Sequence, residues 1–202
     1  MNHETAGDAS LIRIAAGDGL VVVDVQNDFL PGGALAVPGG DRVVPVLNRY
    51  LALFNERSLP IFATRDWHPA NHCSFQDHGG PWPPHCVANT PGAAFAPALA
   101  LPPATVVVSK GTDARKEAYS GFQGTDLAER LRATGARRLF VGGLATEFCV
   151  RATVTDAISE GFSVCLLLDA IQALEIKPGD ARRSEQEMIE RGAVALRWED
   201  IA

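Results

Sequence analysis

The chain has 202 residues, 47% hydrophobic and 21% charged, the balance of an ordinary globular domain long enough to bury one full core. Its net charge of −6, from 18 basic and 24 acidic residues, argues against sequence-independent nucleic-acid binding, which needs a basic footprint, although a local site could still take a small anion. The opening "MNHETAGDASLIRIAAGDG" lacks the basic flank and apolar centre of a secretory signal, and no apolar run reaches the ~18 residues of a membrane span. Four cysteines (Cys73, Cys86, Cys149 and Cys165) are too few for a disulfide scaffold, so reduced thiols and a cytoplasmic location are expected.

The elements then follow in order. Residues 1–17 read as an N-terminal extension and 18–202 as a single domain. Strands are expected at "LVVVDV" (20–25), "PIFATR" (60–65), "TVVVS" (105–109), "RLFVGG" (138–143), "SVCLLLD" (163–169) and, more briefly, "AVALR" (193–197). These runs are continuously apolar rather than alternating, as suits strands covered on both faces of a parallel sheet. Helices are expected at about 41–57, 125–135, 146–160 and 178–191, with Pro45 in a first turn, Thr125 as an N-cap and Gly135 as a stop. Strand–helix alternation of this kind predicts an α/β, doubly wound, mainly parallel six-stranded sheet with helices on both faces. The segment 66–104 breaks the alternation; it is rich in Pro, Gly, His and Asn, and a loop of that length is usually functional.

In such sheets ligands sit beyond the carboxyl ends of strands, and that is where the reactive residues fall. "DVQNDF" brings Asp24, "TRDWHP" brings Asp66 and His68, "SKGTD" brings Lys110, and "GGLATEF" leads to Cys149. Asp24 reads either as a carboxylate anchoring its loop or as a proton shuttle tuned by Lys110 and a thiol. Lys110 reads either as a solvated surface group or as a charge that favours a thiolate. It is the convergence of these residues on one rim that favours chemistry.

Asp66 and His68, two apart in extended backbone, leave the chain on the same side, and "WPPHC" offers His85 as a third ligand from a proline-braced loop. An Asp-His-His set suits one divalent ion, zinc with iron or manganese as alternatives. His72, Asp77 and His78 are further candidates in the same loop. The two "HC" pairs, His72–Cys73 and His85–Cys86, form a weaker structural zinc reading, because adjacent residues in extended chain face opposite ways. Cys165, inside an apolar strand, reads as core. Cys149 reads either as a small buried packing residue or as a reactive thiol: it falls in a first helical turn with Thr146 as its N-cap, where free N–H groups and the helix dipole would lower a thiol pKa and hold an oxyanion.

Taken together, "VVVDVQNDFLPGGALAVPGGD", "ATRDWHPANHCSF", "GGPWPPHCVANTPGA", "SKGTDARKEAYSGF" and "VGGLATEFCVRATVTDA" resemble the nicotinamidase/pyrazinamidase branch of the isochorismatase-like cysteine hydrolases. "DVQNDF" is common to that superfamily; "DWHP" with "WPPHC" is more discriminating. The resemblance implies a catalytic triad of Asp24, Lys110 and Cys149 and a metal on Asp66, His68 and His85, with His72 as an additional or nearby histidine. It also implies Phe29 and Trp82 about the substrate ring, a cis Leu144–Ala145 peptide, and an oxyanion hole from the N–H groups of Ala145 and Cys149. Glu147 departs from the Asp more usual there. The implied reaction is hydrolysis of nicotinamide, and of pyrazinamide, through a cysteine thioester in NAD salvage. Its partner is a small molecule, not nucleic acid or membrane, and a homo-oligomer stays open. An N-carbamoyl amide or isochorismate-type substrate is the alternative within the superfamily, and a non-catalytic α/β protein with structural zinc the alternative outside it.

Overall fold

The computed structural model describes residues 11–202. Among these, six strands carry the fold: β1 (Asp18–Val23), β2 (Ile61–Asp66), β3 (Val106–Lys110), β4 (Arg138–Leu144), β5 (Ser163–Gln172) and β6 (Val194–Leu196). They form one sheet in the order β3-β2-β1-β4-β5-β6, and every neighbouring pair is parallel. Among the described residues four helices make every connection but β2 to β3: α1 (Val43–Glu56), α2 (Leu127–Ala133), α3 (Arg151–Ser159) and α4 (Asp180–Glu190). The expected six-stranded, doubly wound α/β fold is therefore the observed one.

The unbroken apolar runs have a direct cause. Along β1, Leu20 and Val22 join a core with α1 residues Leu47, Tyr50, Leu51 and Phe54. Val21 and Val23 point the other way, into a second core with Leu127 and Leu131 of α2, Val154 of α3 and Met188 of α4. Successive side chains leave opposite faces of a strand, so a strand covered twice must be apolar at every position.

Element ends show where local signals prevailed and where they did not. Pro45 lies in the first turn of α1, where its missing N–H costs nothing. Asp126, not Thr125, is the N-cap of α2; the Thr125 hydroxyl accepts the Leu127 N–H at 3.3 Å from one position earlier. Thr146 is not the N-cap of the helix carrying Cys149. Ala145 takes that position, and residues Thr146–Val150 form a π-helical turn ahead of α3, with the Val150 N–H bonded to the Ala145 carbonyl at 3.2 Å. β5 runs past its expected end to Gln172, because after a register shift Ile171 and Gln172 pair with Gly143 and Leu144. The described part of the expected extension packs on the domain: Ile12 bridges Ile201, and Ile14 is buried in the α1-side core. Residues 1–10 lie outside the described residues. Among the described residues no helix is long and apolar enough to cross a membrane.

The strand order reverses between β1 and β4, so both strands end beside the crevice at the centre of the sheet. Their close approach there depends on Gly143, at φ 133°: a Cβ at that position would lie 2.0 Å from the Val23 carbonyl oxygen. Gly143→Ala is expected to lower the unfolding free energy by more than about 3 kcal/mol, since atomic overlap adds to the ~1–3 kcal/mol of an unfavourable backbone region. Gly135→Ala, at φ 77° with no atom within 4 Å, should cost only about 1 kcal/mol in the same urea titration. Equal losses would show that the approach of β4 to β1 does not need the glycine.

Candidate active site

Asp24 follows directly on β1, with a left-handed backbone (φ 50°) that turns its side chain into the crevice, fully buried. Its N–H bonds to the Thr64 carbonyl at 3.2 Å, and the Thr64 hydroxyl donates to its Oδ1 at 2.7 Å. Lys110 ends β3 and is 1% exposed, which rules out the solvated surface reading. Its ammonium lies 2.9 Å from Asp24 Oδ2, donates to Asp66 Oδ1 and to the Ala118 carbonyl (3.1 Å), and reaches Cys149 Sγ at 3.5 Å. The Asp24 and Asp66 carboxylates and the Cys149 thiol lie within 4.8 Å of one another.

Burial sets the protonation of this cluster. Desolvation raises the Asp24 carboxyl, against the pull of Lys110, which lowers it. Desolvation also pushes the Cys149 thiol well above its ordinary value, with Lys110 opposing and the two carboxylates adding to the rise. This corrects the expectation of a thiol lowered by its helical position: at a site this dry, burial outweighs the partial charge of one helical turn. Lys110 loses stability from burial too, but Asp24 and Asp66 more than offset it and hold the amine well above its usual value.

Asp66 ends β2, and His68 follows two residues later with its Nε2 3.7 Å from Asp66 Oδ2. His85 arrives from the long loop, and one donor atom from each of the three lies within 4.8 Å of the others, all buried. Each imidazole has one nitrogen engaged by a backbone carbonyl: His68 Nδ1 on Gly111 at 2.9 Å, His85 Nδ1 on Pro83 at 2.8 Å. Such bonds orient the rings and leave each Nε2 available to a ligand. Gly111 is required for this, since a Cβ there would lie 2.4 Å from the His68 ring. Burial lowers the His85 pKa, which favours the neutral, metal-binding form. Burial would raise Asp66, yet Lys110 and His68 hold it far below the usual carboxylate range. Two buried carboxylates face one lysine, so a divalent ion on Asp66, His68 and His85 suits both the donor chemistry and the charge.

The Asp66 backbone is itself clamped. The fully buried Gln26 amide accepts the Asp66 N–H at 2.8 Å and donates to the Asp66 carbonyl at 2.8 Å and the Ala93 carbonyl at 2.9 Å. His72 stands outside the Asp66–His68–His85 set but beside it, grouped with His68 and Glu117 as a second cluster of metal-type donors. It stacks on His68 at 4.1 Å, with Nδ1 on the Ser74 hydroxyl (2.7 Å) and Nε2 on the Lys116 carbonyl (3.1 Å). Asp77 and His78 are exposed on a 3-10 turn, and Cys73 and Cys86 join no cluster of metal-type donors among the described residues.

A narrow pocket, partly open to solvent, joins the two groups: Cys149, Asp66 and His85 line it together with Phe29, Trp82 and Ala145. The Leu144–Ala145 peptide is cis, where the resemblance implied it. Tyr119, Phe148 and Leu174 also line the cavity and were not singled out from the sequence. The Trp82 indole donates to the Tyr119 hydroxyl at 3.0 Å, and its ring meets Phe148 edge-on at 5.1 Å. Phe148 had one available signal, its place immediately before Cys149; Tyr119 and Leu174 sit in loops whose course no local pattern gives.

Lys110→Met should cost about 3–5 kcal/mol at neutral pH in metal-stripped protein, as for removing one partner of a buried ion pair. Without the lysine each carboxylate raises the other's pKa, so the folded variant binds protons more readily than the unfolded chain. The deficit relative to wild type should therefore shrink as pH falls below about 5. Urea titrations across pH check this; a deficit under about 1 kcal/mol, or one that grows on acidification, would contradict it.

Comparison with known proteins places the chain firmly. Residues 18–200 match the isochorismatase domain family. The nicotinamidase of Escherichia coli is 38% identical over 205 residues, covering 90% of this chain and 96% of that protein. The structure of a Pyrococcus horikoshii pyrazinamidase in complex with zinc superposes with a TM-score of 0.87 at 53% identity, covering 90% of this chain and 99% of the other. That of PnC1 from L. infantum in complex with nicotinate does so with a TM-score of 0.88 at 38% identity, covering 95% and 98%. With the family matched along the whole sheet and relatives of this identity spanning almost their full lengths, the chain belongs to the isochorismatase family.

Proposed function

We propose that the chain is a metal-dependent nicotinamidase, which hydrolyses nicotinamide to nicotinate and ammonia, and pyrazinamide by the same chemistry, in NAD salvage. The observation that carries this is a single cavity onto which the Cys149 thiol, the Asp66 and His85 donors and the Phe29 and Trp82 rings all open. A metal-independent hydrolase of the superfamily would have no use for three buried donors with oriented imidazoles. The nicotinamidase of E. coli and the zinc-bound pyrazinamidase of P. horikoshii support the same substrate class.

The aromatic ring of the substrate lies between Phe29 and Trp82 and presents its carboxamide carbon to Cys149 Sγ. A divalent ion, zinc with iron or manganese as alternatives, held by Asp66, His68 and His85, would supply a Lewis-acidic anchor for the ring nitrogen. Asp24 takes the thiol proton. Its raised pKa makes it a better base than an exposed carboxylate, and the nearby Lys110 ammonium stabilises the thiolate that forms. Sulfur attacks the amide carbon, and the N–H groups of Ala145 and Cys149 receive the developing oxyanion, where one such donor is typically worth ~10²–10³ in rate. Protonated Asp24 returns its proton to the amide nitrogen as the C–N bond breaks and ammonia leaves. Water then gives a proton to Asp24, attacks the thioester and breaks the C–S bond, releasing nicotinic acid; the proton on Asp24 goes back to the thiolate, and the acid's own proton passes to the released ammonia, leaving nicotinate and ammonium.

Purified protein should release ammonia from nicotinamide, lose that activity on chelation and regain it with zinc. Turnover that survives complete metal removal would overturn the metal's part. Cys149→Ala should drop kcat by at least about 10³-fold with metal content unchanged, whereas retained turnover would remove the thiol from the mechanism. His85→Ala should lower bound metal by elemental analysis; unchanged occupancy would place the ion elsewhere.

A further inference from the structure

Glu147 has no part in the chemistry above, yet it is a charged residue only 5% exposed, two positions before Cys149 on the π turn. Its two carboxylate oxygens leave that turn for the loop after β5. Oε1 accepts the Glu175 N–H at 2.6 Å, and Oε2 accepts the Leu174 N–H at 3.2 Å. Leu174 is one of the side chains lining the cavity. The far end of the same loop is held similarly, with the Glu175 carboxylate accepting the Gly179 N–H at 2.6 Å and the Ala181 N–H at 3.3 Å where α4 begins. Glu175 itself is in the left-handed region, φ 59°, so this stretch does not continue the ladder of β5 and takes its hydrogen bonds from side chains instead.

We infer that Glu147 is a positioning residue that fixes the width of the substrate cavity by tying the Leu174 wall to the turn that carries the nucleophile. The inference rests on the nicotinamidase reading and names which residues set its substrate size. Charge-assisted bonds to two backbone donors are stronger than neutral ones, and a buried carboxylate without them is costly, so the tie is expensive to break. Because Glu147 and Cys149 share one turn, the reach of the glutamate side chain sets how far Leu174 stands from the thiol. Aspartate is one methylene too short to serve both N–H groups. Glutamine keeps the length but turns a donor toward one of them. Either change frees the Leu174 wall without touching Asp24, Lys110, Cys149 or the metal donors.

The test measures kcat and KM for nicotinamide and for ring-methylated nicotinamides in wild type, E147Q, E147D, L174A and the E147Q/L174A double variant. E147Q and E147D should raise KM for nicotinamide by roughly 5–20-fold with kcat within about twofold, the signature of lost ground-state positioning. Discrimination against the methylated substrates should fall in both. L174A should do the same, and E147Q in the L174A background should add less than about twofold, because both act through one wall. A fall in kcat with KM unchanged, or fully additive effects of E147Q and L174A, would overturn the inference. If E147D fails to fold, the isosteric E147Q carries the comparison. Wild-type turnover of nicotinamide separates the two levels: its absence defeats the nicotinamidase reading and this inference together. Its presence with unaltered E147Q discrimination defeats this inference alone.

Discussion

The structure of the site depends on one buried ammonium. Lys110, fully enclosed at the end of β3, stands 2.9 Å from Asp24 Oδ2, in contact with Asp66 and 3.5 Å from the Cys149 thiol. It offsets the cost of burying two carboxylates in so dry a crevice, where a lone charge costs several kcal/mol. The same contact links the two halves of the site, because Asp66 faces Lys110 with one oxygen and His68 with the other. The Asp24 carboxylate, the Cys149 thiol and the cluster of Asp66, His68 and His85 are thus coupled through a single side chain.

The fold delivers these groups by its strand order. With β1 central and the chain running outward in both directions, the carboxyl ends of β1, β2, β3 and β4 supply Asp24, Asp66, Lys110 and the turn before Cys149. Because the sheet is covered on both faces, this rim is where reactive side chains can gather without breaking a core. The long loop between β2 and β3 then closes over the rim with His85 and Trp82, and the loop after β5 adds Leu174.

Much of this was legible in the sequence because its causes are local. A strand buried on both faces must be apolar throughout, so "LVVVDV" and "RLFVGG" declare themselves, and reactive residues placed after such runs declare the rim. Asp66 and His68 were legible because alternation in extended chain puts them on one side. What stayed hidden depends on assembly. Thr146 looks like an N-cap, but the chain enters through a π turn that begins from Ala145. The thiol's helical position suggests a lowered pKa, but enclosure by distant segments pushes it up. Gln26 and Glu147 act on the backbones of Asp66, Leu174 and Glu175, far away in sequence, and no spacing rule connects them.

The central claim is that Cys149 becomes acylated while the Asp24–Lys110 pair manages its proton. It is tested most directly by acid-quenching the protein during turnover of nicotinamide and locating covalent adducts by peptide mass spectrometry. A nicotinoyl thioester on Cys149, appearing with a burst of ammonia and decaying to nicotinate, is the expected result. Steady ammonia release with no acyl group on Cys149 at any quench time, and with turnover intact in Cys149→Ala, would contradict it.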